Sequence, residues 1–302
     1  MGTPPDMAPL RGTRRGNSRL PRRAAVGRRS FTSTLKALDE LARSGAQVSV
    51  RIDDLDRGSS VLMGDDFVTL PVAGLGVVPL LIEVAAQIEA GTLDGLEIVD
   101  RNIIDRVESG GVWQHLKAPA LPVVDLAVLA AAAGDGTAAN ALITRVGLPA
   151  VRSRIEDLGL SRSALLDRFR DNRGPDDAPH VALGTTRELA QLFAALVNSE
   201  VVSAGVSAQV AEWLSLNHDL SLIASATGLD PFAHFNDRHG LLFINKTGRA
   251  DGVRCEAGVL AGPRAGVAYA LTVCFDDLSI AHRLRAHDAF RTLGVELMEY
   301  VF

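Results

Sequence analysis

Apolar residues recur along this chain with two distinct periods. Over residues 30–43, Phe31, Leu35, Leu38 and Ala42 fall on one face of a helix, with Ser30 or Thr32 as cap and Gly45 as stop. Over 47–52 the period changes to two. Val48, Val50 and Ile52 alternate with polar neighbours, which predicts a strand with one buried face, and 61–63 reads as its short partner. Leu80, Leu81, Val84, Ala85 and Ile88 return to helical spacing until Gly91 ends a buried helix. Helical patterning continues over 124–133, 137–146, 150–158, 185–197 and 207–216, separated by loops containing Gly or Pro. Strands return over 241–246, 256–261 and 267–275. The last two flank Gly262-Pro263-Arg264-Ala265-Gly266, a turn short enough to force antiparallel pairing. A closing helix over 281–301 aligns Ala286, Phe290, Leu293 and Leu297.

In this order both ends of the chain complete one sheet around a helical insert. The expected class is α/β (α+β): a mixed, mostly antiparallel sheet flanked by helices, plus an all-helical lobe. Residues 31–68 and 240–302 would form the α/β lobe and 69–239 the helical lobe. A ligand cleft is expected at their seam.

Composition adds a boundary and several exclusions. The 302 residues are 47% hydrophobic and 22% charged, enough for a sizeable core. Residues 1–30 differ, with eight arginines against the single acid Asp6 among Pro, Gly and Ser. Such a segment cannot bury enough surface to offset chain entropy and reads as a disordered leader. The net charge of −5 therefore leaves about −12 on residues 31–302, which argues against nucleic-acid binding by the folded part. Arg28-Arg29-Ser30-Phe31 resembles a twin-arginine export signal, but three charges in the next ten residues replace the apolar stretch such a signal needs. No window reaches the roughly 18 to 20 apolar residues of a membrane span. The two cysteines, Cys255 and Cys274, fit a reducing compartment, so a cytoplasmic protein without a disulfide framework or membrane association is expected.

Four short segments carry chemistry. They are Ser109-Gly110-Gly111-Val112-Trp113-Gln114, Asp125-Leu126-Ala127 with Gly134-Asp135-Gly136-Thr137-Ala138-Ala139-Asn140, Lys246-Thr247-Gly248, and Gly252-Val253-Arg254. In order and spacing they resemble the class A β-lactamase and penicillin-binding serine hydrolase superfamily over roughly residues 31–302. The resemblance implies acyl transfer, in which a serine attacks an amide or ester carbonyl and a lysine one helical turn on shares its proton.

This chain departs from that pattern at each reactive position. Gly74 stands where the resemblance places the serine and Val77 where it places the lysine. Gly134 and Gly136 replace the side chains that relay protons and hold the substrate amide, and Arg170 falls near the deacylating glutamate. Arginine stays protonated and cannot be a general base at neutral pH. Gly74, Gly76 and Pro79 weaken the first turn of the helix, so its start is expected near Val78, with an altered oxyanion hole.

What remains is binding equipment. By resemblance Lys246, Thr247, Gly248 and Arg254 line one wall of the cleft and suit a carboxylate or phosphate. The alternative is a scaffold role, with Arg254 paired to Glu256 or Asp251. Asp135 would tie its loop to its surroundings, and Trp113 either stacks on a ligand at the cleft mouth or belongs to the core. Cys255, Thr247, Thr137 and Ser109 are weak substitute nucleophiles. His218, Asp219, His234, Asp237 and His239 match no metal-ligand spacing, and no cofactor is implied. The leading expectation is a pseudoenzyme that holds a small anion or a protein partner. The competing one is a hydrolase of amide or ester bonds with another nucleophile.

Overall fold

The structure, a computed structural model, describes residues 31–234, 240–277 and 279–302. The arginine-rich leader and the candidate metal residues Asp237 and His239 lie outside them.

The elements follow in chain order. Helix α1 (Thr32–Arg43) precedes the hairpin β1 (Gln47–Asp54) and β2 (Ser59–Gly64). The middle of the chain holds β3 (Leu70–Pro71), α2 (Val77–Glu89), β4 (Ile98–Asp100), β5 (Ala120–Pro122), α3 (Val123–Ala132), α4 (Gly136–Val146) and α5 (Leu148–Asp157). It continues with β6 (Ala164–Leu165), β7 (Ala182–Gly184), α6 (Thr186–Val197) and α7 (Ala204–Ser215). The chain closes with β8 (Leu242–Ala250), β9 (Val253–Ala261), β10 (Gly266–Cys274) and α8 (Ile280–Val301). The short strands β3 to β7 form two small antiparallel sheets, so the middle segment is mainly rather than wholly helical.

Five strands form the main sheet in the order β2-β1-β10-β9-β8, antiparallel throughout. Both faces are covered. On one, Ile52, Tyr269, Leu271 and Val273 pack with Phe31 and Leu38 of α1 and Phe290 and Leu297 of α8. On the other, Ala257, Val259, Ala268 and Ala270 join the core built around α2, α3, α4 and α6. Strand β1 is therefore not the one-sided strand its alternation predicts. Its Ser49 is buried and hydrogen-bonds the Thr186 hydroxyl of α6 at 2.7 Å. At the far edge, β8 runs past the predicted end at residue 246, because pairing with β9 continues to Ala250 opposite Val253. That extension puts Lys246-Thr247-Gly248 on the edge strand facing the middle of the chain.

Helix α1 shows how tertiary contacts override a local pattern. Phe31, Thr34, Leu38 and Leu41 point inward, whereas Leu35 is 52% exposed and Ala42 faces out. The N-cap is Phe31, which offers no side-chain hydrogen bond, and the expected cap Ser30 lies outside the described residues. The Glu296 carboxylate of α8 accepts from the Ser33 and Thr34 amides at 3.0 Å each and from the Thr34 hydroxyl at 2.5 Å. This fixes the rotation of the helix and satisfies two of its unpaired N–H groups. Glu296→Ala should cost about 1–3 kcal/mol in urea denaturation.

Candidate functional site

The seam between β8 and the turn before α2 is where the resemblance places a nucleophile. Val72 donates to the Ala182 carbonyl, and Ala73 is held in the left-handed region at φ 44°, a strained conformation for a residue with a Cβ. A single 3₁₀ turn, Ala73–Gly76, then runs directly into α2 at Val77. The α-helix thus starts within one residue of the Val78 expected from Gly74, Gly76 and Pro79, with the 3₁₀ turn ahead of it. Pro79 sits within the first turn, where amides have no intrahelical partner to lose.

Two of the positions that the resemblance assigns to reactive side chains, Gly74 and Gly136, are crowded by their neighbours. A Cβ added at Gly74 would lie 2.9 Å from the Thr247 carbonyl oxygen and 3.5 Å from Gly248 Cα, so the edge strand occupies the space a side chain would need. Val77 is buried among the core residues of α2 and is not directed to any opening. At Gly136, an added Cβ would meet all three side-chain carbons of Val107 at 3.1 Å. Gly134 adopts φ 61°, a conformation L side chains rarely take.

Asp135, between those two glycines, caps α4 by accepting from the Ala138 amide at 2.9 Å and also accepts from the Val112 and Trp113 amides at 2.7 Å. Both of its oxygens are committed to backbone donors and it is buried. Trp113 is fully buried in the core, with Nε1 donating to the Ala118 carbonyl and the Arg101 guanidinium 5.8 Å above the ring. Of its two readings the core side chain is what the structure holds, and stacking on a ligand is not available to it.

The loop that would carry a deacylating acid is knotted by arginines. Arg170 lies 3.3 Å from Asp167 and 3.2 Å from Asp177, and Arg173 lies 2.8 Å from Asp167. Asn140 pins the loop by accepting from the Phe169 amide and donating to the Phe169 and Asp105 carbonyls. Although burial opposes it, hydrogen bonds from the Arg168 amide, Arg170 and Arg173 hold the Asp167 carboxyl below its ordinary value. The Glu108 and Ser109 groups do the same to Asp171. Carboxylates held this firmly ionised are poor bases.

The wall expected to suit an anion is in part already engaged. Thr247 donates to Asp219 Oδ2 at 2.7 Å and Arg249 donates to Asp219 Oδ1 at 2.8 Å; Ser221 contributes its amide and hydroxyl to Oδ1. A carboxylate of the chain itself thus engages Thr247, one of the residues that the resemblance assigns to a substrate carboxylate. Sequence reasoning missed this pairing. Asp219 stood out only as part of a His/Asp-rich stretch, and Arg249, directly after Lys-Thr-Gly, gave no separate signal. Arg254 does not join Asp219, Glu256 or Asp251 in a hydrogen bond. It donates to the Ala250 and Val253 carbonyls of its own hairpin, and its buried Nε has no hydrogen-bond partner among the described residues. It is also the cross-strand partner of Arg249, a like-charge pairing that disfavours a second cation at the Asp219 group.

Beneath this wall runs a buried polar chain. Asn217 donates to Asn245 Oδ1 at 2.7 Å, Asn245 donates to Glu256 at 2.8 Å, and Tyr269 and the Ile223 amide also donate to Glu256. Burial pushes the Glu256 carboxyl up to about 7. Lys246 is 97% buried at the centre of the seam and has no hydrogen bond or ion pair among the described residues; desolvation lowers its ammonium to about 8. Cys255 is wholly buried with Sγ 3.1 Å from the Val72 carbonyl, and burial raises its thiol well above the ordinary value. Thr137 exchanges hydrogen bonds with the Val107 backbone. No group of three or more His, Cys, Asp or Glu side chains suited to a metal occurs among the described residues. No helix among them is long and apolar enough to cross a membrane.

Comparison with known proteins fits this arrangement. A family model described as the beta-lactamase enzyme family matches residues 30–301. The chain belongs to that family. Similar solved structures include a beta-lactamase from Sphaerobacter thermophilus, 21% identical over 90% of this chain and 97% of its own, with a TM-score of 0.76. PBP-A is 18% identical over 89% and 95%, with a TM-score of 0.72. The chromosome-encoded beta-lactamase of Vibrio parahaemolyticus is 15% identical over 90% and 98%, with a TM-score of 0.69. These likenesses establish a β-lactamase and penicillin-binding superfamily fold. No curated protein sequence matches the chain at a significant level.

Two outcomes follow from the packing and the buried charge. Gly74→Ser should destabilise the protein by about 1–3 kcal/mol, because either β8 or the turn must give way, and calorimetry will read it as a lowered Tm. Glu256 favours its protonated form in the folded chain. Its contribution is full below the ordinary value of 4.5 and is lost as pH rises through about 7. Urea denaturation from pH 4.5 to 8 should therefore show wild-type stability falling relative to Glu256→Gln across that window.

Proposed function

We propose that this family member is a pseudoenzyme that performs no serine acyl transfer and whose cleft holds a small carboxylate or phosphate. The observation that carries the first half is the contact at Gly74. The position that the resemblance gives to a nucleophile lacks a side chain, and an added Cβ there would be crowded by the Thr247 carbonyl oxygen at 2.9 Å. Loss of the hydroxyl alone would leave an open pocket. Here the lysine position is core, the second motif is closed by Val107, and each acid of the 167–177 loop considered above is held by arginines or amides. The competing reading, hydrolysis by another nucleophile, finds little support at Cys255 or Thr137, which are buried and occupied.

The second half rests on Thr247 and Arg249, which already grip a carboxylate, that of Asp219. An external anion would bind by exchange with this internal one. The exchange sets a modest affinity for the wild type, since a resident carboxylate at hydrogen-bond distance must be displaced first.

Two measurements test this. Intact-mass analysis after exposure to penicillin G or a fluorophosphonate should show no adduct at any serine, and a chromogenic cephalosporin should turn over no faster than in buffer. A serine adduct overturns the pseudoenzyme reading. In a thermal-shift screen of carboxylates and phosphates, Asp219→Asn should respond at roughly tenfold lower concentration than wild type, and Arg249→Ala should not respond. Equal responses of all three proteins would leave the fold as scaffold only.

A further inference from the structure

The chain has three lysines in all, Lys36, Lys117 and Lys246, in a sequence otherwise supplied with arginine for its cations. Lys36 and Lys117 are exposed, whereas Lys246 is 97% buried. Its ammonium makes no hydrogen bond or ion pair among the described residues. Burying a charge without a partner is costly, and the group relieves that cost by shedding its proton. Arginine cannot do so, which gives a physical reason for lysine at this one interior position. No side chain stands between the amine and the 134 loop: a Cβ added at Gly134 would be 3.7 Å from Nζ. The wall beside it carries Thr247 and Arg249 around the Asp219 carboxylate.

We propose that Lys246 is a nucleophilic amine that captures small carbonyl compounds, aldehydes or 2-oxo acids, as an imine. This goes beyond the anion-binding reading and does not depend on it. The neutral Nζ adds its lone pair to the carbonyl carbon, the π electrons move to oxygen, and the proton leaving nitrogen ends on that oxygen. The carbinolamine then expels its hydroxyl as water, using one proton from solvent, and leaves a protonated imine. No oxidant or reductant is consumed. Asp219 is the nearby carboxylate whose charge favours a cation at Nζ, so it also stabilises the iminium. With its amine lowered to about 8, on the order of a tenth of Lys246 is neutral at pH 7, against less than a thousandth of an ordinary lysine.

The full-length protein is incubated at pH 7 with propanal, or separately with pyruvate, in the presence of cyanoborohydride, which reduces an imine to a stable secondary amine. Intact mass gives the number of additions, and peptide mapping assigns them among Lys36, Lys117, Lys246 and the α-amino group. Labelling of Lys246 by either probe at least tenfold faster than Lys36 and Lys117, with a rate that rises towards a midpoint near pH 8, supports the proposal. So does loss of that label in Lys246→Arg, with folding verified by circular dichroism. Labelling that follows exposure, with Lys36 and Lys117 modified and Lys246 untouched by both probes, overturns it. A thermal shift with simple carboxylates but no label at Lys246 keeps the anion reading and overturns this one. If Lys246→Arg does not fold, the pH dependence and site of labelling in the wild type decide alone.

Discussion

The fit of the turn 72–76 against the edge strand β8 is the constraint on which the rest of this molecule depends. It joins the helices of the middle segment to the sheet, and it works only because the facing residues are glycines. Gly74 admits the Thr247 carbonyl, and Gly248 packs under the Val72 carbonyl beside Cys255. The strained Ala73 is held there by hydrogen bonds on either side, from Val72 to Ala182 and from Leu75 to Val72. Strain of this kind persists only where the surroundings over-determine it. The turn keeps the shape of a site that presents a residue at a helix start, while the space that residue would use has gone to the neighbouring strand.

The electrostatics of the seam follow from that closure. Once β8 lies close, Lys246 is 97% buried with no acid at hydrogen-bond distance among the described residues, and its proton is held loosely. Thr247 and Arg249 keep their affinity for a carboxylate and are satisfied by Asp219. Asn217 and Asn245 each donate to the Asp219 carbonyl, and Asn245 also donates to buried Glu256, so the anion site is tied to the core beneath it. A charge group can stay intact without substrate when the chain supplies its own counter-ion. Removing Asp219 would leave the buried Thr247 hydroxyl without its acceptor, whereas the half-exposed Arg249 would return to water, a cost of about 1 kcal/mol.

How far this was legible in the sequence differs between fold and site. Periodicity located every long helix and every strand of the main sheet to within a few residues, because those segments bury one stripe or one face and the spacing of Leu, Val, Ile and Ala records it. It failed where a partner distant in sequence sets the geometry. Leu35 faces out because Glu296, some 260 residues away, caps and orients α1. The 3₁₀ turn 73–76 ahead of α2, which no periodicity marks, is supported by Ala182 and by β8. Arg254, read as the cleft cation, is spent on the carbonyls of its own hairpin, and Arg249 takes the position beside Asp219.

The sequence alone determined the class of fold, through alternating and helical periods, and the residue types at 74, 77, 134 and 136, where glycine and valine carry no group to titrate or attack. Only the tertiary structure decided whether those gaps are open or filled. Whether a missing side chain leaves a cavity depends on atoms hundreds of residues away along the chain but less than 4 Å away in space. No local pattern encodes that distance. The same holds for Lys246: its identity is written in the sequence, but its burial away from any hydrogen-bond partner among the described residues arises when the edge strand docks against the turn.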